Sequence, residues 1–320
     1  MKYVGLARQI NRNNFNSILL LIAFPLLLLG MFYVITWFAV GTEGDVQAGY
    51  YDSAPPDPNA AFLNIVPFIL AGVGVWFLIA WVSHSALIRM ATHSHPLERK
   101  ENKRVYNLLE NLCIAQGMTM PRLYIIEDDS LNAFASGINE QSYAISLSRG
   151  MIEKLTDEEL EGVIAHELTH IRNRDVRLLI ISIIFVGIFA FLAELAFRSL
   201  RFGSFTRKRD SKGGGAIILV VIAVTAVAYL ISMLLRFGIS RKREYLADAG
   251  ASEMTKKPYA LASALRKISG DPLIEAVKSR DIAQMFIDNP QSNAKGKGIS
   301  GLFATHPPID KRIQLLEQFV

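Results

Sequence analysis

Apolar and polar positions alternate along this chain on two length scales. Four stretches are almost continuously apolar. Ile18 to Val40 and Ala60 to Ser83 hold no charge, Leu178 to Phe197 holds one, Glu194, and Ala216 to Leu235 holds none. Each is about long enough to cross a hydrocarbon core of ~30 Å at 1.5 Å per residue, which predicts about four transmembrane helices. The first is too long and bulky for a signal-peptide core and no small-residue cleavage site follows it, so it reads as a retained helix.

Between these stretches the period shortens. Val105, Leu108, Leu109, Leu112 and Cys113 recur at helical spacing within Leu97 to Gln116, and Gly117 ends the pattern. Arg122 to Glu127, Ala133 to Ile138 and Ser142 to Ser148 read as strands, the last two joined by a turn at Asn139-Glu140. Thr156 and Glu159 form a capping-box pair ahead of Leu160, Val163, Ile164, Leu168 and Ile171, a second amphipathic helix. Further helices are predicted around Tyr259 to Ile268, Leu273 to Phe286 and Ile309 to Phe319, with Asp288 to Gly301 as a loop. The expected fold is an α+β membrane protein, mainly helical, with a small β-sheet. Residues 1–85 form an N-terminal pair of transmembrane helices. Residues 86–320 form a catalytic domain containing a hydrophobic helical hairpin at about 178–237.

The amphipathic helix after Thr156 holds His166-Glu167-Leu168-Thr169-His170, an H-E-x-x-H motif. Residues i and i+4 share a helix face, so both imidazoles can point at one ion. Two neutral His nitrogens suit Zn2+, and the carboxylate of Glu167 can take a proton from water. The plain alternative is two surface histidines beside a charged neighbour. A catalytic zinc usually has three protein ligands. The best third candidate is Glu244 in Arg243-Glu244-Tyr245-Leu246-Ala247-Asp248, on a second predicted helix. Asp248, four residues on, can accept a hydrogen bond from the far nitrogen of a ligand His. A solvated helix face paired to nearby arginines is the bland reading of the same residues.

Composition agrees with a membrane enzyme. Hydrophobic residues make up 51% of the chain. Lys2, Arg8 and Arg12 precede the first apolar stretch, the next loop carries only acids (Glu43, Asp45, Asp52, Asp57), and Arg89, Arg99, Lys100, Lys103 and Arg104 follow the second stretch. Positive residues stay inside, which puts the N-terminus and the catalytic region on the cytosolic side. The loop Arg198 to Gly215 is also basic, yet His166, His170 and Glu244 need an even number of crossings between them. The hairpin therefore either spans despite its basic tip or lies buried in protein or in the interface. The single Cys113 forbids an intramolecular disulfide and fits a reducing compartment. The net charge of +5 suits a surface near anionic lipid, and its scatter at membrane flanks does not suggest nucleic acid.

Taken together, Asn132-Ala133-Phe134-Ala135, the run Val163 to Asp175, Arg243 to Asp248 and Thr305-His306-Pro307-Pro308 resemble the HtpX-type integral-membrane zinc metalloproteases. That family shares a superfamily with the CaaX prenyl proteases. The resemblance covers nearly the whole chain. It implies a zincin-like catalytic domain, one Zn2+ held by His166, His170 and Glu244, and Glu167 as general base. It also implies removal of damaged membrane proteins at the cytosolic face of a bacterial inner membrane. Asn132, Ala133, Phe134 and Ala135 resemble the family's active-site edge strand, which can hold an extended peptide by main-chain hydrogen bonds; the alternative is an interior strand without substrate contact. His306 is either an oxyanion donor or a loop His capping the last helix. Rival functions are a CaaX-type processing protease and a non-proteolytic zinc-binding membrane scaffold, the second disfavoured by the intact Glu167.

Overall fold

Two long helices open the chain: α1 (Leu6–Gln47) and α2 (Pro58–Thr92). The computed structural model describes residues 6–47, 57–201, 214–237, 241–270, 285–287 and 307–318. Then come β1 (Ser94–Pro96), α3 (Lys103–Gln116), β2 (Arg122–Ile126), β3 (Ala133–Ser136), β4 (Ala144–Ser148) and α4 (Arg149–Lys154). They are followed by α5 (Asp157–Arg172), α6 (Asp175–Arg201), α7 (Gly214–Phe237), α8 (Arg241–Thr255), α9 (Pro258–Ile268) and α10 (Ile309–Glu317). Of the expected helix Leu273 to Phe286 only the last two residues are described, and there Phe286 forms a β-bridge. The loop expected at Asp288 to Gly301 and the tip of the basic segment, 202–213, also lie outside them.

The described residues divide into two compact units. One comprises Ile18–Val82 and Ile181–Arg236. In it Phe24 stacks on Phe185 with ring centroids 4.7 Å apart, and Trp76 donates its indole N–H to the Ile184 carbonyl at 3.2 Å. Large apolar side chains such as Leu63, Phe68, Leu78 and Val82 point outward. Water penalises so much exposed apolar surface, whereas lipid does not. By length and composition Ile10–Val40, Pro58–Thr92 and Asp175–Leu195 can each cross a membrane. Over the fourth expected span, α7 holds the apolar helical stretch Val220–Ile231 among the described residues.

The other unit comprises Met1–Ser17, Ser83–Ile180 and Phe237–Val320. Its sheet has the order β1-β2-β4-β3, with β2 parallel to β4 and the other pairs antiparallel. This order leaves β3 at an edge. β1 is too short to give a periodic signal, and it escapes a sequence reading for that reason. Helix α3 starts six residues later than the apolar pattern suggests. Asn102 caps it by accepting from the Val105 amide, while Leu97 bonds the β2 carbonyl of Leu123.

The capping box of α5 is present: Thr156 Oγ1 accepts from the Glu159 amide and Glu159 accepts from the Thr156 amide. Buried Glu159 also receives hydrogen bonds from Lys267 Nζ and Ser263 Oγ, both at 2.7 Å. Burial favours its neutral form, but these bonds outweigh that and hold its carboxyl below the ordinary value of 4.5. A lowered carboxyl pKa stabilises the fold above the unfolded value and loses that contribution as pH falls through the folded one. Glu159→Gln is thus expected to cost about 1–3 kcal/mol at pH 7. The gap to the native chain should shrink once pH is below 4.5, read as the difference in thermal unfolding midpoints. An equal gap at both pH values would refute the charge-based account.

Candidate metal centre

Helix α5 presents His166 and His170 one turn apart, on one face. Their Nε2 atoms lie 3.2 Å apart and their rings are nearly perpendicular, at 86°. Helix α8 brings Glu244 to the pair, with one carboxylate oxygen 3.6 Å from His166 Nε2 and the other 3.6 Å from His170 Nε2. Among the described residues this is the one group of three such side chains whose ligand atoms converge, all within 4.8 Å.

The far nitrogens fix what the near ones offer. His166 Nδ1 lies 3.0 Å from Asp248 Oδ1, and His170 Nδ1 lies 3.1 Å from Asp175 Oδ2. An ionised carboxylate only accepts, so these neighbours favour a proton on each Nδ1 and a lone pair on each Nε2. Two lone pairs and a carboxylate aimed at one point repel each other unless a cation stands among them. Donors bound to a tetrahedral ion at about 2.0–2.1 Å stand roughly 3.3–3.4 Å apart, close to the separations found. Charge points the same way. Glu167, Asp175, Glu244 and Asp248 are buried against two buried guanidinium groups, Arg243 and Arg312. Two negative charges are left over, and an uncompensated buried charge is costly. A divalent ion cancels them.

Electrostatics tune each group. Burial opposes a charge on His166, yet Asp248 and Glu244 push it up to about 9, so the site favours positive charge at this position. Burial raises the Glu167 carboxyl above the usual range, although the two histidines and the Ala135 amide favour its ionised form. A carboxylate tuned upward is a better proton acceptor near neutrality. Asp248 behaves oppositely. Burial would raise it, but Arg312 and His166 hold it low.

Three participants escaped the sequence reading. Asp175 orients His170. Arg174 takes a left-handed conformation at φ 61° between α5 and α6, which turns the chain so that Asp175 faces back toward the motif. Asn13, on α1, donates to Asp175 Oδ1 at 2.6 Å and to the Asn173 carbonyl at 2.8 Å. Arg312 on α10 grips Asp248 through two bonds of 2.8 and 2.7 Å and lies 3.4 Å from Glu244. A signal for Arg312 existed: it shares the apolar face of the last helix with Ile309, Ile313 and Leu316. Of the candidate peptide-binding residues, Asn132 is buried ahead of β3, and Ala133, Phe134 and Ala135 lie within that edge strand. His306 lies outside the described residues.

Close approach of α8 to α5 depends on Gly250. A Cβ there would stand 2.5 Å from Thr169 Cγ2 and 2.8 Å from its Oγ1. Thr169 is short, buried and tied to the Ala165 carbonyl, so it cannot swing aside. Gly250→Val is expected to cost about 1–3 kcal/mol by overpacking and to move Glu244 away from the histidines. Zinc retention after dialysis should therefore fall, although no ligand has changed; full retention would show that the helices can separate without harm to the cluster.

A buried His-His-Glu cluster with a carboxylate beside it, in a chain whose helices can cross a membrane, defines a membrane metallopeptidase. Residues 99–320 match Peptidase family M48, and the chain belongs to that family. A relative named Protease HtpX homolog from Bacteroides fragilis (strain YCH46) is 59% identical over 323 residues, covering 100% of both chains. Another of that name, from Listeria monocytogenes serotype 4a (strain HCC23), is 40% identical over 260 residues, covering 78% of this chain and 85% of the relative. The crystal structure of S. mikatae Ste24p aligns with a TM-score of 0.48 and 17% identity, covering 88% of this chain and 64% of that one.

Proposed function

We propose that this metallopeptidase is a zinc-dependent endopeptidase that cuts damaged or misfolded membrane proteins at the cytosolic face of a bacterial inner membrane. The observation that carries the reading is the convergence of His166 Nε2, His170 Nε2 and the Glu244 carboxylate beside buried Glu167. His166, His170 and Glu244 would hold one zinc ion per chain. When bound, zinc supplies Lewis acidity, which acidifies water and polarises a carbonyl.

The side chains do the rest. Glu167 takes a proton from water as its oxygen bonds to the scissile carbonyl carbon. The C–N bond then breaks and Glu167 passes the proton to the departing amine. Asp248 and Asp175 keep the two imidazoles in the required tautomer. Asn132 to Ala135 hold the peptide extended, and His306 is the candidate donor to the oxyanion. Residues 1–85 serve as the N-terminal membrane pair and 86–320 as the peptidase domain with its hairpin at about 178–237. The acid-only loop between the first two apolar stretches, set against the basic flanks, supports a cytosolic site.

Casein hydrolysis by the full chain in detergent tests the activity. Chelation is expected to abolish it, and near-stoichiometric zinc to restore it. Hydrolysis that survives complete metal removal would sink the zinc reading, and intact metal binding without hydrolysis would favour a scaffold.

A further inference from the structure

The outer edge of β3 is occupied by the chain itself. Phe134 and Phe286 form an antiparallel bridge, and the Ile287 N–H donates to the Ala133 carbonyl at 2.9 Å. The two phenyl rings meet edge to face with centroids 4.7 Å apart. Phe286 and Ile287 are 0% and 2% exposed. The carbonyl of the same Ile287 accepts from Arg312 at 3.2 Å, and another nitrogen of that guanidinium lies 3.5 Å from His166 Nε2. Two residues along the strand from Ala133, the Ala135 amide acts on Glu167. So Met285–Ile287 lies along the edge with its main chain hydrogen-bonded and one side chain seated on Phe134. One of its carbonyls is held by a cation beside the His pair. A peptide captured by strand addition has these same three features: main-chain bonds, a side-chain seat, and a carbonyl brought toward the reactive groups.

Resting on the reading that this edge binds substrate, we propose that Met285–Ile287 is an internal stand-in for substrate. An incoming polypeptide displaces it, and Phe134 selects a large apolar side chain at the position that Phe286 fills. The substrate class follows from the competition. A tethered occupant acts at high effective concentration, so a competitor must offer both a free main chain and an apolar side chain. Unfolded apolar segments offer both, and folded domains offer neither.

A reversible lock tests this. Bridge partners at a narrow antiparallel position have Cα atoms about 4.5 Å apart, within the range a disulfide spans. Phe134→Cys with Phe286→Cys, in the zinc-loaded full chain carrying Cys113→Ser and Glu167→Gln, would fix the segment in place. The probe is a fluorescein-labelled unstructured peptide rich in Leu and Phe, followed by anisotropy. Binding is expected to be at least about tenfold weaker with the disulfide formed than after reduction, at equal zinc content. Equal binding in the two states overturns the proposal, and so does binding in neither if the chain with Phe134 intact described next binds no tighter than Glu167→Gln alone. Ile287→Pro, with Phe134 and Phe286 intact on the Glu167→Gln chain, removes the donor to Ala133 and is expected to tighten binding severalfold. A segment that merely completes the sheet would leave binding unchanged or weaken it. These readouts need no turnover, so a failure of hydrolysis by the native chain counts against the endopeptidase reading alone.

Discussion

Glu167→Gln is expected to retain its zinc and lose about 100- to 10,000-fold in turnover. The amide matches the carboxylate in size, and Glu167 is not among the three converging ligand groups. It sits buried between the metal cluster and the Ala135 amide, so an isosteric change leaves the packing in place. What the amide lacks is a site for the proton that water must give up. The upward shift of the native carboxyl also predicts the shape of the pH profile. Activity of the native chain should rise with pH through a group titrating above the ordinary carboxylate range, because the ionised form is the base. That rising limb should be missing from the residual rate of Glu167→Gln. A variant that cleaves at more than about a tenth of the native rate would falsify the assignment of Glu167 as general base.

The motif helix was legible in the sequence because its determinants are local. Thr156 and Glu159 set its start, apolar spacing set its buried face, and the i to i+4 relation placed His166 and His170 together. Glu244 was legible for a different reason: the chemistry demanded a third ligand, and a helix with a correctly spaced Asp248 supplied a candidate. Asp175 was not legible, because its contact with His170 depends on the left-handed turn at Arg174 and on Asn13, more than 150 residues earlier. For Arg312 the apolar face it shares could signal burial, but nothing local says that it closes over Asp248. The limits on the fold are of the same kind. Strand periodicity found β2, β3 and β4, but the parallel pairing of β2 with β4 and the edge position of β3 arise only from the assembled sheet. The end of the helix expected at Phe286 could not be placed from spacing alone, because at Phe286 pairing with Phe134 sets the local backbone.

On the proposed reading Glu244→Ala and Asp248→Asn should differ in kind, because one removes a ligand and the other a support. Glu244 contributes two oxygens, each 3.6 Å from one of the ring nitrogens. Its loss leaves two imidazoles, too few to hold a catalytic zinc ion well. It also removes one of the two negative charges that a divalent ion would cancel. Zinc content after dialysis is expected to fall to a small fraction of one per chain, and added zinc should not restore activity. Asp248→Asn leaves all three ligands. The amide oxygen can still accept from His166 Nδ1, but it no longer carries charge toward that ring or toward Arg312. Weakened support of this type typically costs about 10- to 100-fold in metal affinity or activity, and excess zinc should recover the metal. Arg312, fully buried, also loses the charge of the carboxylate it holds through two bonds and keeps Glu244 at the longer distance of 3.4 Å, so Asp248→Asn should lower the unfolding midpoint as well. Stoichiometric zinc in dialysed Glu244→Ala would sink its assignment as third ligand.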